Sequence, residues 1–255
     1  MPVIPVLHPD VTIRETIRRG MRTRRVRVVG CRTMDRVEQL LDEALVDAIV
    51  LDVRRESADR ARRIVERYPG IPVFAFSAFR PDDGILLSAC ERVGFHILVA
   101  GVDEPVANEY ITAHSASTGW RRQLEDAPDL LRLSEPMQRR AWNEVLAMVD
   151  TPARTGGVAQ SLGVSREHLS REFAAGGAPN LKRVIDLARL ACASQLLSNP
   201  GYSVERVAGI LKYSSPSHLA ESARRIAGVR PSMLGAVGPR GVLHRFQQGR
   251  TRSRF

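Results

Sequence analysis

Arg166, Glu167, His168, Ser170 and Arg171 place five hydrogen-bonding side chains within six successive positions, interrupted only by Leu169. Arginine presents a planar fork of donors that fits phosphate oxygens and the acceptor edge of guanine. Glutamate accepts from the cytosine amino group, and serine can serve either way. A second set lies 50 residues further on, where Ser215, Pro216, Ser217, His218 and Glu221 are followed by Arg224 and Arg225. His168 and His218 fall inside these sets, where a histidine can touch a base, face a phosphate or simply pack. The chemistry offered is contact with a nucleic acid: phosphate contacts would set register and base-edge contacts would read sequence.

Such side chains need rigid elements behind them, and a repeated motif supplies these. The first copy reads Val158-Ala159-x-x-Leu162-Gly163-Val164-Ser165-x-x-x-Leu169, and the second reads Val207-Ala208-x-x-Leu211-Lys212-Tyr213-Ser214, closed by Leu219. The offset is 49 residues up to the serine and 50 beyond it, so the second copy carries one extra residue at its turn. Each copy spells a helix, a tight turn, a capping serine and a second helix. Ala159 and Ala208 allow the two helices to cross closely, and Gly163 takes a positive φ at no steric cost. Ser165 and Ser214 are expected to cap the following helices. Leu169 and Phe173, four apart, bury one face of the first of these helices and leave the polar set on the other. Helical hairpins of this composition also occur in proteins that bind nothing. Two copies at fixed offset favour a tandem helix-turn-helix that reads DNA.

Charge is divided in the same way. Residues 1–120 hold 17 Lys and Arg against 17 Asp and Glu, whereas residues 121–255 hold 21 against 11, which is the whole net charge of +10. A neutral half joined to a basic half suits a sensing or assembly module attached to a nucleic-acid reader.

From about residue 134 to 237 the chain resembles the DNA-binding domain of the AraC/XylS family of transcription regulators. That family joins two helix-turn-helix units by one long helix, and the resemblance assigns this helix to Pro179–Ser198. It also assigns a leading helix to Glu135–Val149, with Ser134 as cap and Pro136 in the first turn. Gly228-Val229-Arg230-Pro231-Ser232 resembles the family's closing Gly-x-x-Pro motif. Departures concentrate in the second unit: Lys212 replaces the turn glycine, Ala223 a phenylalanine, and Glu221 a residue that is commonly polar or basic. The loop Ala174–Ala178 is shorter than usual. The resemblance implies a regulator whose first unit dominates specificity through Arg166, Glu167, Ser170 and Arg171, with Arg224 and Arg225 near phosphates. The expected partners are double-stranded DNA, RNA polymerase and a second copy of the chain through the N-terminal half; no cofactor is expected.

The N-terminal half has another rhythm. Apolar runs alternate with helical, charge-rich stretches: Val3–Leu7 and Thr12–Met21, Val26–Val29 and Met34–Ala44, Ala48–Leu51 and Ser57–Arg67, Val73–Phe76 and Asp82–Arg92, His96–Val99 and Glu104–Ala113. Five strand–helix repeats argue for a parallel sheet covered on both faces. Their length and order resemble the response-regulator receiver, a flavodoxin-like module with its chemistry at the carboxyl ends of the strands. The resemblance puts Asp52 where receivers keep their phosphate acceptor and Ser77 where they keep a hydroxyl residue. It puts His8 and Pro9 where they keep the acidic pair that holds Mg²⁺, with Asp10 one step out of register. Receivers also use a lysine after strand five, and the only lysines here are Lys182 and Lys212. Phosphoryl transfer depends on such positioning. The expectation is therefore a degenerate receiver in which Asp52 is structural. The alternative is a phosphorylation-competent response regulator with Asp52 as acceptor. A nucleotide-using enzyme is disfavoured because no Gly-rich phosphate loop appears; Gly156-Gly157 and Gly176-Gly177 read as turns.

Cys31, Cys90 and Cys192 imply neither a disulfide framework nor a zinc site, and point to reduced thiols in cytoplasm. The six histidines lack metal-ligand spacing. No apolar run approaches membrane-spanning length and no leader is evident. The expected fold class is α/β plus all-α: a flavodoxin-like five-stranded parallel-sheet domain over residues 1–118, a linker over 119–133, a helical domain with two helix-turn-helix units over 134–237, and a basic tail over 238–255. The linker contains Pro128, and its Trp120-Arg121-Arg122 can extend the preceding helix. The tail has five arginines and no acidic residue and is expected to be disordered, either adding phosphate contacts without sequence preference or serving only as a solubilising end.

Overall fold

In a computed structural model the described residues are 1–54, 58–151, 154–174 and 177–252. The chain divides into two compact domains, residues 1–119 with 199–201, and residues 120–198 with 202–255.

The N-terminal domain alternates β1 (Val3–Leu7), α1 (Val11–Met21), β2 (Arg27–Gly30), α2 (Met34–Glu43), β3 (Ile49–Leu51), α3 (Ala58–Arg67), β4 (Val73–Ser77), α4 (Gly84–Val93), β5 (His96–Val99) and α5 (Glu104–His114). All strand pairings are parallel, in the order β2-β1-β3-β4-β5. The parallel sheet is what the alternation implied, and its order is the doubly wound, receiver-like one that the resemblance implied. The central strands are apolar on both faces because helices cover both. Ile4, Val6, Val50, Phe74 and Phe76 pack with Ile13, Ile17 and Met21 of α1 and Ala107 and Ile111 of α5. Each such large side chain, fully withdrawn from water, contributes about 1.5–3 kcal/mol. Strand boundaries match the expectation to one residue; the expected first residue of α3, Ser57, lies outside the described residues.

The C-terminal domain is helical: α6 (Ala116–Arg122), which begins just before the domain boundary, then α7 (Ala127–Leu130), α8 (Pro136–Ala147), α9 (Thr155–Ser161), α10 (Arg166–Glu172), α11 (Leu181–Leu197), α12 (Val204–Ile210), α13 (Pro216–Ala227), a 3₁₀ turn (Pro231–Met233) and α14 (Leu234–Arg252). The helix α11 is the axis, with Asn180 capping it through Arg183 N–H at 3.0 Å. Leu181, Val184, Leu187, Ala188, Leu190, Ala191, Ala193 and Leu196 are all buried along it. A helix apolar on nearly every side must be surrounded, and α8, α9, α12, α13 and α14 do surround it.

Three sequence expectations change here. The segment 119–133 is not a free linker. Trp120, Leu124, Ala127, Leu131 and Leu133 are buried, and Ser115, in extended conformation, separates α6 from α5, so Trp120 does not prolong α5. The tail is not disordered up to residue 252, because α14, which kinks at Gly238, buries Val242, Leu243 and Phe246 beyond the kink. Arg183 lies over the Phe246 ring at 5.0 Å, and Arg240 pairs with Asp126 at 2.8 Å. The high arginine count hid an apolar stripe spaced for a helix. Gly235 lets this helix approach α11: a Cβ there would sit 2.3 Å from the Leu197 carbonyl oxygen. At the head of α8, Glu135 rather than Ser134 is the cap, its N–H donating to Gln138 Oε1 at 3.2 Å.

Candidate nucleic-acid interface

The first helix-turn-helix is α9 and α10. Gly163 takes φ 70° in the turn, its N–H donating to the Gln160 carbonyl at 3.1 Å while Val164 N–H donates to Ala159 at 3.0 Å. Ser165 Oγ accepts from His168 N–H at 3.0 Å and so starts α10. Leu169 and Phe173 are buried. That orientation leaves Arg166, Glu167, Ser170 and Arg171 exposed on one surface and His168 half-buried beside them.

The second unit, α12 and α13, repeats this geometry. Lys212 adopts φ 58° where the first unit has its glycine. The turn bonds correspond: Lys212 N–H to Gly209 at 3.2 Å and Tyr213 N–H to Ala208 at 2.9 Å. The extra residue follows the turn and shifts the cap. Ser215, not Ser214, accepts from His218 N–H at 3.1 Å, so Ser215 holds the helix start, while Ser214 Oγ lies 3.0 Å from His218 Nδ1. Leu219 and Ala223 occupy the buried positions. Pro216, Ser217, His218, Glu221, Arg224 and Arg225 are exposed, but Arg225 is engaged, its Nη2 donating to Asp186 at 2.9 Å.

The sequence did not single out Arg189. It is buried on α11, donates to the Leu211 carbonyl at 2.7 Å, and lies over the Tyr213 ring. Burial raises the Tyr213 phenol above its ordinary pKa. The signal missed was a lone charged residue inside the apolar run Leu187–Ala193, which needs a partner when buried.

In the N-terminal domain, Asp52 follows β3 and is buried. Ser77 Oγ donates to its Oδ1 at 2.7 Å and Arg54 N–H at 3.2 Å. His8 and Pro9 follow β1 as expected. His8 Nδ1 accepts from Asp10 N–H at 3.0 Å, and Asp10 caps α1 through Thr12 N–H at 2.7 Å. That bond holds the Asp10 carboxyl below its ordinary range. Burial likewise lowers the His8 imidazole, against the opposing pull of Asp52. Two small hollows meet at this point, both lined by His8 and Asp52, with Arg14 and Arg32 on one side and Arg54 and Arg80 on the other. Among the described residues no group of three His, Cys, Asp or Glu side chains could hold a metal ion.

Residues 158–235 match the family described as "Helix-turn-helix domain". The C-terminal domain is thus a helix-turn-helix domain of the AraC type. Its match begins inside α9 and closes at the start of α14, spanning both turns together with α10 and α13, and a DNA-binding domain of this kind belongs to a transcription regulator. No curated relative matches the chain. Full-length FixJ from B. japonicum, a solved structure, is similar at 13% identity over 90% of this chain and 98% of that one, with a TM-score of 0.39. No helix among the described residues is long and apolar enough to cross a membrane.

Proposed function

We infer that this regulator reads duplex DNA unequally through its two units, with α10 as the dominant reader. What carries the reading is the exposed set Arg166, Glu167, Ser170 and Arg171, seated by a glycine turn, a serine cap and a large Leu169/Phe173 anchor. The corresponding face of α13 presents Glu221, which repels phosphates, and its Arg225 is tied to Asp186. Two recognition helices on one rigid α11 would meet major grooves about one helical turn apart, roughly 34 Å. Duplexes enriched from a random pool by the full-length protein should share one strongly conserved half-site and a weaker one. Two equally strong half-sites would overturn the inequality.

The N-terminal domain acts in this reading as a degenerate receiver: the acidic-pair positions hold His8 and Pro9, and Asp52 is occupied by Ser77 and Arg54. Dimerisation through this domain is supported by three exposed apolar residues, Ile85 on α4, Val102 after β5 and Val106 on α5, at 85%, 67% and 52% exposure. RNA polymerase is the partner that regulation of transcription would require. The reading assigns no catalysis and places the protein in the cytoplasm, where a DNA reader finds its target and buried Cys31, Cys90 and Cys192 stay reduced.

A further inference from the structure

Between the two helix-turn-helix units the helical domain holds a cleft of about 850 Å³. Its floor is α11, and its walls are the approach to α9 on one side and α13 on the other. Five cationic side chains line it, and they sort into two groups. Arg189 and Arg225 are committed to internal partners, the Leu211 carbonyl and Asp186. The side chains of Arg154, Arg166 and Lys182 are exposed and make no hydrogen bond or ion pair among the described residues. Three unpaired cations facing one space repel one another, and a polyanion brought to that space removes the repulsion.

Arg154 and Lys182 lie on neither recognition helix. Arg154 precedes α9, and Lys182 is in the first turn of α11. With α10 and α13 seated in successive major grooves, the surface between them faces the intervening minor groove and the phosphates that flank it. We propose that this cleft seats the phosphodiester backbone of the DNA between the two half-sites, with Arg154 and Lys182 as phosphate contacts and Arg166 completing the set. The proposal rests on the two-unit reading given above. It gives α11 a direct part in binding, beyond spacing the two units. Glu221 lines the same cleft, where its carboxylate opposes the phosphates and offsets part of the cationic charge.

Phosphate contacts announce themselves through salt. Each one lost should lower the slope of log affinity against log salt by about 0.9, because one fewer counterion set is released. The test uses full-length protein and a duplex that the wild type has enriched from a random pool, compared with a scrambled duplex. Arg154→Gln and Lys182→Gln should each flatten the slope by about 0.9 and the double variant by about twice that. The affinity loss should be the same factor on both duplexes, and Lys182→Arg should keep the wild-type slope. A double variant with the wild-type slope, or a loss confined to the enriched duplex, would overturn the proposal while leaving the two-unit reading intact. A wild type that enriches no duplex would overturn both.

Discussion

The guanidinium carbon of Arg189 lies 4.2 Å from the centroid of the Tyr213 ring, while its Nη2 donates to the Leu211 carbonyl at 2.7 Å. One side chain of α11 thereby closes the carboxyl end of α12 and clamps the second turn. Arg189→Ala removes the ring contact and leaves a carbonyl short of a partner, so the helical domain should lose about 3 kcal/mol. Tyr213→Phe should be neutral or slightly stabilising, because the phenol oxygen is buried without a partner. Urea unfolding of both variants checks the pair, and equal destabilisation would refute it.

The turns of the two units have one conformation and different residues. Lys212 carries φ 58° with a side chain, which costs roughly 1–2 kcal/mol. Lys212→Gly should therefore stabilise the domain by up to about 1 kcal/mol after the glycine's greater unfolded freedom is subtracted. Gly163→Ala should destabilise by about 1 kcal/mol through backbone conformation alone, since nothing lies within 4 Å of its Cβ position. Thermal unfolding in which Lys212→Gly lowers the midpoint would contradict the assignment of strain.

These two turns show how far the chain could be read without coordinates. Two copies of one motif, with Gly163 and Lys212 in register, and five Val/Ile-rich runs were enough to place both helix-turn-helix units and every strand. The cap of α13 was misread by one residue because Ser214 and Ser215 are equally good acceptors, and only backbone geometry chooses between them. The arginines of the last segment outweighed Val242, Leu243 and Phe246, although α11 has an apolar face that something must cover. The cleft was invisible for another reason: Arg154, Lys182 and Arg225 lie far apart in the chain and meet only in the packed domain.

Unequal reading predicts unequal mutants. Arg171→Ala should cost about 1–3 kcal/mol of affinity for the enriched duplex and relax its specificity. Glu221→Ala should leave binding unchanged or tighten it, since it removes a carboxylate from a phosphate-facing cleft. Fluorescence anisotropy at fixed salt decides; a silent Arg171→Ala beside an inactive Glu221→Ala would transfer the dominant role to α13.

For Asp52 the expectation is indifference. Asp52→Asn keeps an oxygen for the Ser77 hydroxyl, so stability and DNA affinity should change little. Acetyl phosphate with Mg²⁺, or beryllofluoride, should leave the affinity of the wild type unchanged. A phosphoaspartate at residue 52 in intact-protein mass spectrometry would restore the phosphorylation-competent alternative.

The N-terminal domain should respond to acid through His8. Burial favours its neutral form, so the unfolded chain takes up the proton first as the pH falls. The associated stability is complete above the unfolded value of about 6.5 and is lost as the pH drops through the lower folded value. His8→Asn should flatten the decline of the domain's melting temperature between about pH 7 and 5. His96, also lowered by burial, contributes in the same direction and is present in both proteins, so the difference between them isolates His8. Parallel declines would show that His8 is not the group responsible.

The close seating of Gly235 against Leu197 bears on how such a reader can be moved between proteins. Lifted out at the end of its second helix-turn-helix, it would carry α11 with its covering stripped away, an oily strip inviting aggregation. The transplantable cassette is therefore longer than the DNA-contacting part and extends through Phe246. A graft that severs it at residue 237 would retain every recognition side chain and lose the scaffold that aims them.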